Sequence, residues 1–176
     1  ISQTKEQDFI LYGSSTLRLW KEAKTDLGIP HLSNLAFGGA TIAACQAFSE
    51  RLLTTRITNG KIIIYAGDND LGSGLSVSEV IRDYKNFLIT LTELLPNFEV
   101  LVISIKPCPF RRHLRKEIEE VNFWLEKYIN NNENWSFIDI HSSMLDAYGE
   151  NKNAFYSDDP LHMNDVGYAL LGKKVR

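Results

Sequence analysis

The chain alternates between two hydrophobic rhythms. Short continuous apolar runs are followed by longer segments in which apolar positions recur every three or four residues. The first run, Asp8–Tyr12, stops at Gly13-Ser14-Ser15, and Leu17 and Trp20 then open a helical pattern that extends to about Leu27. Gly28, Ile29 and Pro30 break the chain, and Leu32–Phe37 reads as a short strand ending at Gly38-Gly39. A helix is predicted from Thr41 to about Thr55, with Ile42, Cys45, Phe48 and Leu52 on one face. Lys61–Ala66 contains IIIYA, continuous and β-branched, as suits a strand buried on both faces.

After Gly67 comes a polar turn, DNDLGSG, and then Ser76 with Glu79 three residues on, the pattern of a capping box. Val80, Tyr84, Phe87, Leu88, Leu91 and Leu95 form a helical stripe that Pro96 ends. Glu99–Ile105 is a further buried strand, and Pro107 and Pro109 hold the following loop extended. A helix over Leu114–Ile129 places Ile118, Val121, Leu125 and Ile129 on one side; Trp135–Ile140 is a strand; Asp165–Val175 is a terminal helix. Five strands joined by helical segments predict a parallel sheet with right-handed crossovers and helices on both faces. The fold class is therefore α/β, with the flavodoxin-like strand order 2-1-3-4-5 as the prior, in a single domain over residues 1–176.

Composition narrows the function. At 44% hydrophobic and 23% charged residues the chain has the balance of a globular protein. A net charge of −3 argues against nucleic acid and anionic membrane surfaces as partners. No apolar run approaches the roughly 18 residues of a membrane span. The two cysteines, Cys45 and Cys108, have no metal-type spacing and read as small buried hydrophobes. No leader is visible in a sequence that begins at Ile1, which leaves the compartment open between the cytoplasm and export. Oligomeric state is equally open.

Polar loops follow three of the strands: Gly13-Ser14-Ser15, the run NLAFGGAT from Asn34, and Gly67-Asp68-Asn69-Asp70. A fourth polar stretch, Asp158 to Asn164, stands near the end. Ligands bind at the carboxyl edge of such sheets, where these loops gather. A serine at a strand-to-helix turn is a favoured N-cap, and Ser15 can be that alone. It can also be a nucleophile, since the other stretches hold what acyl transfer requires. His162 is the candidate base, and Asp159, three residues earlier, can reach its Nδ1; Asp158 is the competing acid. Gly39 allows close backbone approach, and Asn69 carries an amide that can donate to an oxyanion alongside the Ser15 N–H. Asp68 and Asp70 read as loop-bracing residues, and His31, His113 and His141 as surface or structural ones. Arg111, Arg112 and Arg115 read as a solvated helix face, Trp20 and Trp124 as core, and Leu161, Met163 and Phe155 as walls of an acyl pocket. Tyr65 lies in a buried strand, and its hydroxyl needs a partner.

These stretches resemble the four blocks of the SGNH hydrolases, also called GDSL-like lipases and esterases. Gly13-Ser14-Ser15 matches the first block, Asn34 through Gly39 the second, Gly67-Asp68-Asn69-Asp70 the third and Asp159-Pro160-Leu161-His162 the last. They stand in family order across nearly the whole chain, and GSSTLRLW, YAGDNDL and ISIKPCP resemble a bacterial branch. Ser14 replaces the usual aspartate, and Ala36 stands where many members have glycine. The resemblance implies a three-layer α/β/α sandwich and ester hydrolysis through an acyl-enzyme without metal or other cofactor. The triad would be Ser15, His162 and Asp159, and the oxyanion hole Ser15, Gly39 and Asn69. The resemblance does not name the small-molecule ester: carbohydrate, lysophospholipid and thioester substrates all fit. The short loops of a 176-residue chain, with little material for a lid or a long acyl tunnel, favour a small acyl group such as acetyl on a larger alcohol. Two other readings compete. A metal-dependent phosphohydrolase would use Asp68, Asp70, Asp158 and Asp159 to hold Mg²⁺, and a non-catalytic binding module would keep only the fold.

Overall fold

Alternate residues of the central strands point to opposite faces of the sheet, and each face has its own core. In the computed structural model, which describes residues 8–53 and 59–176, the strands are β1 (Asp8–Gly13), β2 (Leu32–Asn34), β3 (Gly60–Tyr65), β4 (Phe98–Ile103) and β5 (Trp135–Ile138). They form one parallel sheet in the order β2-β1-β3-β4-β5, the flavodoxin-like order taken as the prior, which the pattern itself does not specify. Ile10, Tyr12, Ile62, Ile64, Val100 and Val102 enter one core. Leu11, Ile63, Tyr65 and Ile103 enter the other. Helices α3 (Ile42–Leu53), α5 (Val77–Leu94) and α6 (Arg115–Asn130) cover the first face. Helices α1 (Ser15–Arg18), α2 (Ala23–Leu27) and α7 (Asp165–Val175) cover the second, which completes a three-layer α/β/α arrangement.

Most helical stripes are buried as expected. In α5, Val80, Tyr84, Phe87, Leu88 and Leu91 are buried, and the Ser76–Glu79 capping box forms. In α6, Ile118, Val121, Leu125 and Ile129 are buried. Both cysteines are buried and free, Trp20 is buried, and Trp124 is half-buried against Tyr128. The Tyr65 hydroxyl accepts the Lys106 N–H at 3.4 Å.

Several boundaries differ, for tertiary reasons. The single helix expected to run to Leu27 is broken between Arg18 and Ala23. Continuing it would need the Trp20 N–H to reach the Thr16 carbonyl. That carbonyl instead accepts the Tyr168 hydroxyl of α7 at 2.8 Å, and the Trp20 N–H turns to Leu17 O. Strand β2 ends at Asn34 and not at Phe37, because the Asn34 side chain turns the backbone by accepting from Ala36 N–H. The α3 face is Ile42, Cys45, Ser49 and Leu53; Phe48 is 46% exposed and packs edge-on against Phe37. Thr54 and Thr55 lie outside the described residues. The polar turn after Gly67 is a short helix, α4 (Asp68–Gly72), and Pro109–Leu114 is a 3₁₀ turn leading into α6.

Candidate active site

Strand β1 delivers Ser15 to the carboxyl edge of the sheet. Gly13 makes the turn: its φ is +141°, and a Cβ there would lie 1.9 Å from the Tyr65 carbonyl oxygen of β3. Only glycine lets the two strands approach so closely at that point. Ser14 then caps α1 by position, without a side-chain capping bond, and its Oγ is buried with no hydrogen-bond partner among the described residues. Ser15 is the first residue of α1, where a backbone N–H has no intrahelical acceptor. The capping reading of Ser15 is thereby set aside, because its hydroxyl points elsewhere. Ser15 Oγ lies 3.0 Å from His162 Nε2.

The His162 side chain is held from behind. Its Nδ1 makes a short hydrogen bond to Asp159 Oδ2. The other Asp159 oxygen accepts the Leu161 N–H at 2.8 Å. The bond to His162, followed by the one from Leu161, holds the Asp159 carboxyl below its ordinary range. An ionised carboxylate can only accept, so the imidazole proton sits on Nδ1 and Nε2 is free to accept from the serine hydroxyl. Asp158 is exposed, and Asp159 takes the place at His162.

The loop carrying these residues is tied to the end of β4. The buried Lys106 ammonium donates to Leu161 O at 2.7 Å, Phe110 N–H donates to Pro160 O at 3.3 Å, and the Tyr156 hydroxyl donates to Pro107 O at 2.6 Å. Asn164 caps α7 by accepting from Gly167 N–H. Met163 is buried, and Phe155 and Leu161 are partly buried against the α7-side core; Met163 also lines the groove beside Asp159 and His162.

The second and third loops meet each other through Asn69 and Ala40 and through Asp70 and Ile42. Phe37 N–H donates to Gly13 O at 2.9 Å. Gly39 has φ +69°, and a Cβ on it would meet nothing within 4 Å. Conformation alone calls for glycine there, and the space beside it is open. Asn69 Nδ2 donates to Ala40 O at 3.0 Å. Asp70 is fully buried and receives the Ile42 N–H on both carboxylate oxygens, at 3.0 and 3.2 Å, so it caps α3 across the gap between the loops. Burial raises its pKa to about 6.

Two charged residues of this edge escape a reading of pattern alone. Arg111 is not solvated: its guanidinium reaches inward to Asp68 and Asn69. Lys106 is 1% exposed. The available signal for both is position, since each follows the buried strand β4 at the edge where the polar loops gather. His141 is buried, with its Nε2 unpartnered among the described residues, and burial lowers its pKa; His113 is exposed. The four carboxylates of the metal reading do not converge. Asp68 faces Arg111, Asp70 caps α3 and Asp159 holds His162. Among the described residues no group of three or more His, Cys, Asp or Glu side chains is placed to hold a metal ion.

A family model for GDSL-like lipases and acylhydrolases matches residues 12–170. The chain belongs to this GDSL-like lipase/acylhydrolase family. As a family member it is a carboxylic ester hydrolase. No curated protein matches its sequence. Among solved structures it is similar to a lipolytic protein of the G-D-S-L family from Veillonella parvula DSM 2008, with TM-score 0.82 and 19% identity over 97% of this chain and 96% of that one. It is also similar to a GDSL-like lipase from Bacteroides thetaiotaomicron VPI-5482, with TM-score 0.81 and 17% identity over 99% and 88% of the two chains. A carbohydrate esterase of family 3 from Talaromyces cellulolyticus aligns with TM-score 0.73 and 15% identity over 97% and 94%. At such identities the likeness to these structures speaks for the fold. No helix among the described residues of this GDSL-like hydrolase is long and apolar enough to cross a membrane.

Proposed function

We propose that this GDSL-like hydrolase is a serine esterase that cleaves short-chain acyl esters through an acyl-enzyme. The observation that carries the reading is the relay Ser15 Oγ–His162 Nε2–Nδ1–Asp159 Oδ2 at the edge of the sheet. Ser15 Oγ attacks the ester carbonyl while His162 Nε2 takes its proton. Asp159 holds the imidazole in the reactive tautomer and stabilises the imidazolium. The oxyanion is received by the N–H groups of Ser15 and Gly39 and by Asn69 Nδ2. Collapse of the tetrahedral intermediate breaks the bond to the alcohol, which leaves with the proton from His162. Water then attacks the acyl-serine, gives its proton to His162, and the carboxylic acid leaves as Ser15 regains its hydrogen. No step needs a metal or cofactor.

Loop economy supports the short acyl group. The loops around the site are short, and Phe155 and Leu161 pack in part against the α7-side core, which leaves little material for a long apolar tunnel. A groove of about 580 Å³ on the Asp159 side, bordered by Glu22, Asp26, His162 and Tyr168, offers room for a larger alcohol. A carbohydrate ester fits this division of space.

The test is turnover of p-nitrophenyl esters from acetyl to decanoyl. The expected result is a kcat/KM that falls as the chain lengthens and a Ser15→Ala protein that stays folded with kcat lower by about 10³-fold or more. A fluorophosphonate probe should phosphonylate Ser15 with loss of fluoride. Unchanged turnover in Ser15→Ala sinks the serine mechanism, and a preference for decanoyl sinks the short-chain assignment.

A further inference from the structure

Arg111 stands beside the proposed oxyanion amide and not on the surface. It lies in the 3₁₀ turn after β4, and its side chain is only 11% exposed. The guanidinium meets two adjacent residues at the start of α4. Nη1 lies 3.0 Å from Asp68 Oδ2, and Nη2 donates to Asn69 Oδ1 at 3.0 Å. Gly72 leaves it room, since a Cβ there would lie 2.7 Å from Arg111 Nε.

The contact decides how Asn69 faces. A guanidinium only donates and a carbonyl oxygen only accepts. Asn69 Oδ1 must therefore face Arg111, and Nδ2 must face Ala40 O, 3.0 Å away. A flipped amide would set NH₂ against guanidinium and oxygen against oxygen. With one amide hydrogen given to Ala40, the other is left for a ligand. The guanidinium charge beside Oδ1 also draws electron density from the amide nitrogen, which strengthens that remaining N–H as a donor. Stability does not account for the arrangement. Desolvating a buried ion pair commonly offsets its attraction, and Asp68 Oδ1 is left without a hydrogen-bond partner among the described residues.

We propose that Arg111 is a positioning residue: it orients and polarises the Asn69 amide, and Asp68 anchors its guanidinium. The proposal rests on the serine-esterase reading of Asn69. Losing one oxyanion donor costs about 10²–10³ in turnover. Because Arg111 acts only through that donor, its removal must cost less than removal of Asn69.

A double-mutant cycle on p-nitrophenyl acetate tests this, with wild type, Arg111→Met, Asn69→Ala and the pair. The expected loss for Arg111→Met is about 10- to 100-fold in kcat with KM little changed. In the Asn69→Ala background the same substitution should change kcat by less than about threefold. Arg111→Lys, which keeps a cationic donor, should recover part of the loss. The same factor in both backgrounds would mark a general structural effect and overturn the proposal. If Arg111→Met fails to fold with Asp68 stranded, Asp68→Asn/Arg111→Met takes its place in the cycle, with the same two outcomes. NMR of the Asn69 side-chain amide separates the proposal from the reading beneath it. Its proton signals should shift in Arg111→Met whether or not wild type turns over ester. Unmoved signals overturn the positioning role, whereas a wild type without turnover overturns the esterase reading alone.

Discussion

The two adjacent serines show how a single residue step divides structure from chemistry. Ser14 is fully buried and its Oγ has no partner among the described residues; Ser15 is half-buried and its Oγ meets His162. An unpaired buried hydroxyl is a cost, of about 1–3 kcal/mol before relaxation. Ser14→Ala is therefore expected to leave kcat unchanged and stability equal or higher by up to about 1 kcal/mol, which is about 2–4 °C in a chain of this size. Thermal melts and ester turnover check both halves, and a loss of activity comparable to that of Ser15→Ala would contradict the division. Spacing made the Asp159–His162 contact legible, since the Asp-x-x-His separation brings carboxylate and imidazole together within one turn. Ser15 alone reads as a helix cap, and it was the resemblance of four ordered loops that singled it out. Arg111 was not legible. Whether an arginine in a short turn points to solvent or inward is decided by Asp68 and Asn69, which precede it by some forty residues.

At the scale of elements, the central strands β1, β3 and β4 were readable because their apolar runs are largely buried between two cores, whereas the edge strands β2 and β5 are shorter and partly exposed. Strand order agrees with the commonest way of winding five strands, which was a prior and not a reading of the pattern. The break between α1 and α2 was not readable. It depends on a hydroxyl 152 residues away, Tyr168, taking the Thr16 carbonyl. Asp70 is the other element-scale device, since it joins α4 to the start of α3 and so fixes the loop bearing Gly39 beside the one bearing Asn69. Its pKa is raised from 3.8 to about 6, by burial first, with Asp68 and Asp83 adding repulsion. For a carboxyl whose folded value lies above its unfolded value, the folded state holds more protons between the two. Its contribution is thus complete below about pH 4 and is lost as pH rises through about 6. Asp70→Asn keeps one acceptor for Ile42 N–H and removes the buried charge. Relative to wild type, the variant should gain stability between pH 4.5 and 7, by the order of 2 kcal/mol. Urea unfolding at several pH values measures the gap, and a gap that narrows toward neutral pH would show that ionised Asp70 is net stabilising.

At the scale of the molecule, hydrogen bonds close a circuit around the carboxyl edge. The β1 loop holds the β2 loop through Phe37 N–H and Gly13 O, and the β2 and β3 loops meet through Ala40 and Asn69. The β3 and β4 loops meet through Asn69 and Arg111, and the β4 loop holds the C-terminal loop through Lys106 and Phe110. His162 returns the circuit to Ser15. The four motif loops alone do not close it; the segment after β4 supplies the missing side. Lys106 is the link that can be cut most cleanly. Its ammonium is buried, with Leu161 O as a partner, and burying such a charge costs the sheet stability that an apolar side chain of similar length would not. Lys106→Met should therefore leave global stability unchanged or raise it, while the loop over residues 157–164 opens more readily. A hydrogen bond from a charged donor is worth about 1.5–3 kcal/mol, so exchange of the Leu161 amide, which is held by Asp159, should accelerate about tenfold or more. Amides of β1 and β3 should keep their protection, and kcat should fall because His162 spends less time against Ser15. Faster exchange across the whole sheet would instead assign Lys106 to the core. An unaltered Leu161 amide would mean that Asp159 and the bond from Phe110 to Pro160 hold the loop without it.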